Sequence, residues 1–231
     1  MIVPIYHGHN ETLRCLYSVL AAPQKTPYRL VVVDDHSPDI ELRMAMEKLS
    51  ARGFIELYKT PANQGFVAAC NLGMRLHRDR DVVLLNSDTE VHNDWLDRLR
   101  GAALRTRQVA TVTPLSNNAE ICSYPRSCKN NQRTLEIGDA ELDAMAAGVN
   151  AGKTLKSRPA SDFACMRAAL ASMKSGYSTL KNSVPAMARK MIFAAERSAP
   201  DGAIFSPQIS SFAIMGGALL AQANARAWAR R

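Results

Sequence analysis

The cluster Asn86-Ser87-Asp88-Thr89-Glu90 directly follows the apolar run Val82 to Leu85. Hard oxygen ligands at the end of a strand suit a divalent cation that bridges phosphates, and for Mg2+ one carboxylate completed by water and phosphate oxygens suffices. Asp88 is the best ligand in the cluster, with Asn86 and Glu90 able to support it. A surface turn is the competing reading, because Asn, Ser and Asp are common turn residues. A second cluster, Asp34-Asp35, closes the β-branched run Arg29 to Val33, and Tyr6 closes Val3-Pro4-Ile5. A carboxylate there can accept hydrogen bonds from a base or a ribose, while Tyr6 offers a flat face for stacking. Alternatively, one of the two aspartates merely caps the helix that follows. In Asn63-Gln64-Gly65-Phe66, Gly65 permits a tight turn, and helix-terminal N–H groups behind it could point at a diphosphate. The segment lacks the GxGxxG spacing of a dinucleotide fold, and an ordinary loop before a helix remains open.

These clusters need strands to carry them. Met1 to Ile5 reads as a strand and Thr12 to Ala22 as a helix with Asn10 as its N-cap, since Leu13, Leu16, Tyr17 and Leu20 recur at helical spacing. Arg29 to Val33, Ile55 to Lys59, Asp81 to Leu85 and Val109 to Thr113 read as further strands. Helices over Ile40 to Ser50, Gly65 to Leu76 and Trp95 to Leu104 alternate with them. Such alternation implies a parallel sheet, whose ligands bind beyond the carboxyl ends of the strands, where the polar clusters fall. Trp95, Leu96 and Leu99 are most simply core residues.

Charge divides the chain at Thr154. Residues 1 to 154 carry 18 Lys and Arg against 18 Asp and Glu, whereas the last 77 residues carry 11 against three, so the net charge of +8 resides in the tail. That tail also contains 18 Ala and 10 Ser. Its basic residues are scattered and its aromatic residues few, so no stacking platform for nucleic acid is evident. The five cysteines form no CxxC pair and no metal-ligand spacing, which suits reduced thiols in a cytosolic protein. His7, His9, His36, His77 and His92 form no HxxxH or HExxH arrangement and read as surface or loop residues. No apolar run approaches the roughly 20 residues that span a bilayer, and Met1 leads straight into a strand with no secretory signal, so a cytoplasmic location is expected.

In order and spacing, the segments Ile2 to Tyr6, Leu16 to Leu20, Val31 to Ser37, Asn63 to Phe66 with Asn71, and Leu84 to Glu90 resemble the family 2 glycosyltransferases of the GT-A fold. The resemblance is particularly to the rhamnosyltransferase-like bacterial members. The resemblance covers nearly all of residues 1 to 154 and implies an α/β, Rossmann-like nucleotide-sugar-binding domain with a mainly parallel sheet flanked by helices. It implies that Pro4, Tyr6 and Asp35 line the base pocket, with Asp34 counted beside them. The Asn63, Gly65 and Phe66 loop would lie near the ribose and phosphates, with Asn86 also on the donor. Asp88 would hold a divalent metal, Mg2+ or Mn2+. The family's metal motif usually has a second Asp two residues before the ligand, where this chain has Asn86.

An inverting sugar transfer also needs a general base to take the acceptor hydroxyl's proton. The family supplies it from an Asp in a Gly-Glu-Glu-Asn-Asp-like stretch after the metal motif, and no such stretch occurs here; Asp162 and Asp201 lack that context. No catalytic residue is therefore assigned. Reading the tail one nucleotide out of register would account for the loss. Because Met has a single codon, the shifted residue after some methionines is forced, among them Glu at Lys174, Gly at Ala188 and Asp at Ile192. With permitted codons elsewhere, Ala186 to Ala195 can encode Gly-Tyr-Gly-Glu-Glu-Asn-Asp-Phe-Cys-Arg. Residues 155 to 231 are thus expected to be an out-of-frame, poorly packed or disordered Ala-rich tail, leaving an exposed apolar edge on residues 1 to 154.

The expected activity is metal-assisted, inverting transfer of a sugar from a nucleotide diphosphate sugar to a hydroxyl of a polysaccharide or lipid-linked glycan, impaired by the missing base. The alternative is a non-catalytic nucleotide-sugar-binding remnant. A third reading makes the tail a basic module for nucleic acid or anionic lipid. Nucleic acid is not expected as a partner, and peripheral association with a membrane surface stays open.

Overall fold

The computed structural model describes residues 1–105, 109–117, 126, 129–131, 137–151, 153–157, 171–173 and 211–222. The first half alternates as its apolar pattern dictates: β1 (Ile2–Ile5), α1 (His9–Ala21), β2 (Val31–Asp34), α2 (Ile40–Ala51), β3 (Glu56–Lys59), α3 (Phe66–Leu76) and β4 (Val82–Leu84). Next come β5 (Thr89–Glu90), α4 (Trp95–Arg105), β6 (Val109–Ser116) and α5 (Asp139–Val149). The spacing gave no sign of α5, whose apolar positions are mostly Ala. Helix α1 starts at His9 behind Gly8, which takes a left-handed φ of 92°, so Asn10 lies inside the first turn and is not the N-cap. Asp39 caps α2 by accepting the Leu42 N–H at 3.0 Å, which removes Asp34 and Asp35 from that role.

β3, β2, β1 and β4 are adjacent and parallel, in that order. The expected parallel arrangement therefore holds where the clusters sit. Both faces of these strands are covered, which is why they read as unbroken apolar runs. Val3, Ile5, Val32 and Val83 pack with Leu16, Met46, Trp95 and Leu99 of α1, α2 and α4 on one face. Ile2, Val31, Val33 and Leu84 pack with Ala69 and Cys70 of α3 on the other. Gly73 of α3 lies so close to β1 that a Cβ there would sit 2.5 Å from Ile2 Cγ2.

Three segments of the tail, β7 (Thr154–Ser157), β8 (Ala171–Met173) and β9 (Ser211–Gln222), extend the sheet. β8 runs antiparallel to β4 and β6, while β9 runs parallel to β6 and antiparallel to β5 and β7. The remainder of the tail, and with it the expectation of loose packing there, lies outside the described residues. On α5, Met145 and Val149 are exposed, one turn apart on the same side.

Candidate active site

The strand order places a topological switch point between β1 and β4: the chain adds β2 and β3 on one side of β1, then returns to add β4 on the other. In open parallel sheets that point opens a crevice at the carboxyl ends. Tyr6 leaves β1 there, and the segment Asn86 to Asp88 leaves β4. The sheet thus brings these two clusters to either side of one opening.

Asp88 occupies a tight turn closed by the Thr89 N–H donating to the Asn86 carbonyl at 3.2 Å. The reading as a turn is right, but this is not a surface turn, because Ser87 and Thr89 are buried. Helix α1 holds the segment from behind. Cys15 Sγ donates to the Asn86 carbonyl at 3.4 Å, Arg14 Nε pairs with Glu90 Oε1 at 3.5 Å, and the Val91 N–H donates to Ser18 Oγ at 3.0 Å. Burial raises the Asp88 carboxyl to about 6, its own backbone N–H opposes the rise, and the nearby Glu11 charge adds to it. Burial likewise pushes the Cys15 thiol far up, so it packs as a neutral group.

Asp34 and Asp35 are fully buried, and their carboxylates serve the fold around them. Asp34 Oδ1 accepts the Ser37 N–H at 2.8 Å. Asp35 takes three donors: the Gln64 N–H at 2.9 Å and Thr60 Oγ1 at 3.0 Å on Oδ1, and the Gly65 N–H at 2.7 Å on Oδ2. Asp35 is therefore the strut that ties the Asn63 to Phe66 loop to the end of β2. The amides of Gln64 and Gly65 turn inward to it and are spent within the fold. Gly65 takes φ 87°, a conformation that glycine accommodates without strain, and serves as the N-cap of α3. Pro4 is buried within β1, Tyr6 and Phe66 are half-buried, and Asn63 is exposed.

The segment after the cluster is anchored too, by residues that sequence reasoning passed over. Gln24 Nε2 donates to the Asn93 carbonyl at 2.7 Å, and its Oε1 accepts the Leu96 N–H at 3.0 Å. Asn93, at φ 52°, donates from Nδ2 to Asp143 Oδ2 at 2.8 Å. Arg98 Nη2 lies 2.5 Å from the same oxygen, and Asp143 is fully buried. The signal for Arg14 and Ser18 was present in α1, where the two lie one turn apart on one polar side. Nothing local marked Asp143. Asp162 and Asp201 lie outside the described residues, and among those described no helix is long and apolar enough to cross a membrane.

A cation fits this chemistry. Asp88 offers a hard oxygen ligand with no ion pair among the described residues, and beside it Thr89 Oγ1 is buried without a hydrogen-bond partner there. Among the described residues no group of three or more His, Cys, Asp or Glu could hold a metal alone, so phosphate and water oxygens would have to complete the shell.

Glycosyltransferase AglE of Haloferax volcanii is 24% identical over 156 residues, which are 67% of this chain and 50% of AglE. An uncharacterized glycosyltransferase of Haemophilus influenzae is 26% identical over 111 residues, 48% of this chain and 44% of that protein. The chain thus spans about half the length of the curated relatives it matches. Among solved structures, GalNAc-T7 with UDP, GalNAc and Mn2+ superposes with a TM-score of 0.57 at 14% identity, covering 100% of this chain and 44% of that one. TarS of S. aureus superposes at 0.55 and 15% identity, covering 96% and 36%. These likenesses show the fold. The model of glycosyl transferase family 2 matches residues 1–152, well over half of the chain, and the protein belongs to that family.

Proposed function

We propose that residues 1 to 154 are the donor-binding half of a glycosyltransferase that takes a sugar from a nucleotide diphosphate sugar and passes it to a hydroxyl of a polysaccharide or lipid-linked glycan. The observation that carries this reading is the switch-point crevice with Tyr6 on one side and the half-buried Asp88 on the other. Pro4 and Tyr6 border the base pocket, with Asp34 shaping the turn behind it. Asp35 acts through the loop of Asn63, Gly65 and Phe66, which lies over the ribose and phosphates. Asp88, backed by Asn86, holds Mg2+ or Mn2+, whose charge would offset that developing on the departing diphosphate. Displacement by the acceptor oxygen from the opposite face would invert the anomeric centre.

Proton removal from the acceptor has no assigned residue. The tail, as an out-of-frame translation, does not supply the base, so this chain binds donor and turns over slowly or not at all. Calorimetry of UDP binding with Mn2+ and with EDTA tests the donor half; equal affinity in both, or none in either, would sink it. Product formation from a nucleotide sugar and acceptor at rates typical of enzymes, on the order of 1 per second or more, would sink the impairment.

A further inference from the structure

The loops that enter the parallel strands form a pole at the opposite end of the sheet from the crevice. A cavity of about 300 Å3 opens there, with mainly apolar walls that include Ile2, Leu99 and Ala103. Arg29, His77, Arg80 and Arg100 line it too, against the single carboxylate of Asp81 among the described residues. Arg52 stands in the turn before β3, Arg75 in the last turn of α3 and Arg78 just beyond it. Six exposed guanidiniums therefore share this pole with the carboxylates of Glu56, Asp79 and Asp81. Glu56 holds Arg29 at 2.6 Å and His77 at 2.8 Å, which ties the entries of β2 and β3 to the end of α3. Asp79 meets Arg80 at 4.0 Å. Arg52, Arg75, Arg78 and Arg100 have no ion pair among the described residues.

Residues 1 to 154 balance 18 basic against 18 acidic side chains, so this excess is a segregation of charge along the strands, with Asp34, Asp35 and Asp88 at the other end. Two large apolar side chains stand exposed among the arginines. Phe54, two residues after Arg52, is 50% exposed, and Leu104, at the wall of the cavity, is 56% exposed. Basic residues interleaved with exposed apolar ones suit an anionic lipid surface, where guanidiniums meet headgroup phosphates and apolar side chains enter the interface. A nucleic acid would engage the arginines but give Leu104 and the apolar cavity nothing to bind. We propose that this pole docks on an anionic membrane surface, with Phe54 and Leu104 entering the headgroup boundary and the cavity open toward it. The crevice at the carboxyl ends of β1 and β4 then faces away from the lipid. This inference stands apart from the reading of the crevice.

The test is co-sedimentation of the full 231-residue chain with vesicles of phosphatidylglycerol mixed into phosphatidylcholine, and of phosphatidylcholine alone. The proteins compared are the wild type, a double variant carrying Arg78→Glu and Arg80→Glu, and Phe54→Ser. The wild type should bind the anionic vesicles and leave the neutral ones. The double variant should bind about tenfold more weakly or worse, since each basic residue near such a surface contributes on the order of fivefold. Phe54→Ser should also weaken binding, and thermal midpoints should stay at the wild-type value because all three side chains are exposed. Wild-type vesicle binding by the double variant would assign the attraction to the basic residues 155 to 231 and overturn the proposal, as would no binding by the wild type. Loss of polyuridylate binding in the double variant with vesicle binding unchanged would assign the face to nucleic acid and overturn it as well.

Discussion

Replacing Asp88 with Asn should make the metal-free protein more stable at pH 8. The Asp88 carboxyl is raised from its ordinary 3.8 to about 6, mainly because burial disfavours the charged form. At about 1.4 kcal/mol per pKa unit, the ionised carboxylate costs the folded state up to about 3 kcal/mol once the pH exceeds both values. The sign follows from the direction of the shift. A folded-state pKa above the unfolded one gives a contribution that is complete below about pH 4 and is lost as the pH rises through about 6. Asparagine has nearly the same shape and no charge, so Asp88→Asn escapes the cost at pH 8 and gains nothing at pH 4. Urea unfolding followed by far-ultraviolet circular dichroism in EDTA at both pH values measures the difference. Mn2+ added at pH 8 should stabilise the wild type by mass action and leave Asp88→Asn unmoved. A variant less stable than the wild type at pH 8, or one whose advantage persists unchanged at pH 4, would refute the reasoning, because packing and not charge would then be the cause.

Asp35→Asn removes a carboxylate that accepts three hydrogen bonds in full burial. It should cost about 2–4 kcal/mol and speed hydrogen exchange of the Gln64 and Gly65 amides; unchanged exchange would count against the strut. Asp143→Ala leaves Arg98, only 15% exposed, with Asp94 Oδ1 at 2.9 Å from its Nε as a remaining partner, and should cost about 1–3 kcal/mol in urea unfolding. A loss below about 1 kcal/mol would place the pair among exposed salt bridges instead. Resequencing the source DNA across the codons for Thr154 and Leu155 should reveal one extra base. A sequence that encodes the present tail unchanged, in a protein whose residues 157 to 231 resist proteolysis, would show the tail to be genuine.

The strands and helices that carry the site were legible in the sequence because their causes are local. Runs such as Val31-Val32-Val33 have no polar face and so mark strands covered on both sides, and the amphipathic spacing in α1 marks a helix. Gly65 was legible for a local reason too, since a turn at positive φ favours glycine whatever surrounds it. Helix α5 was not legible, because a run rich in Ala has propensity without a distinct apolar face. What the carboxylates do depended on partners far along the chain. Asp35 looks the same in sequence whether it faces a ligand or the loop 30 residues later, and only the packing of β2 beside β3 turned it inward. Tyr6 stands 80 positions before Asn86, and the ends of their strands meet only because the chain lays β4 beside β1. Periodicity and turn residues determine elements through neighbours in sequence. The roles of buried charges are decided by neighbours in space, which no local pattern encodes.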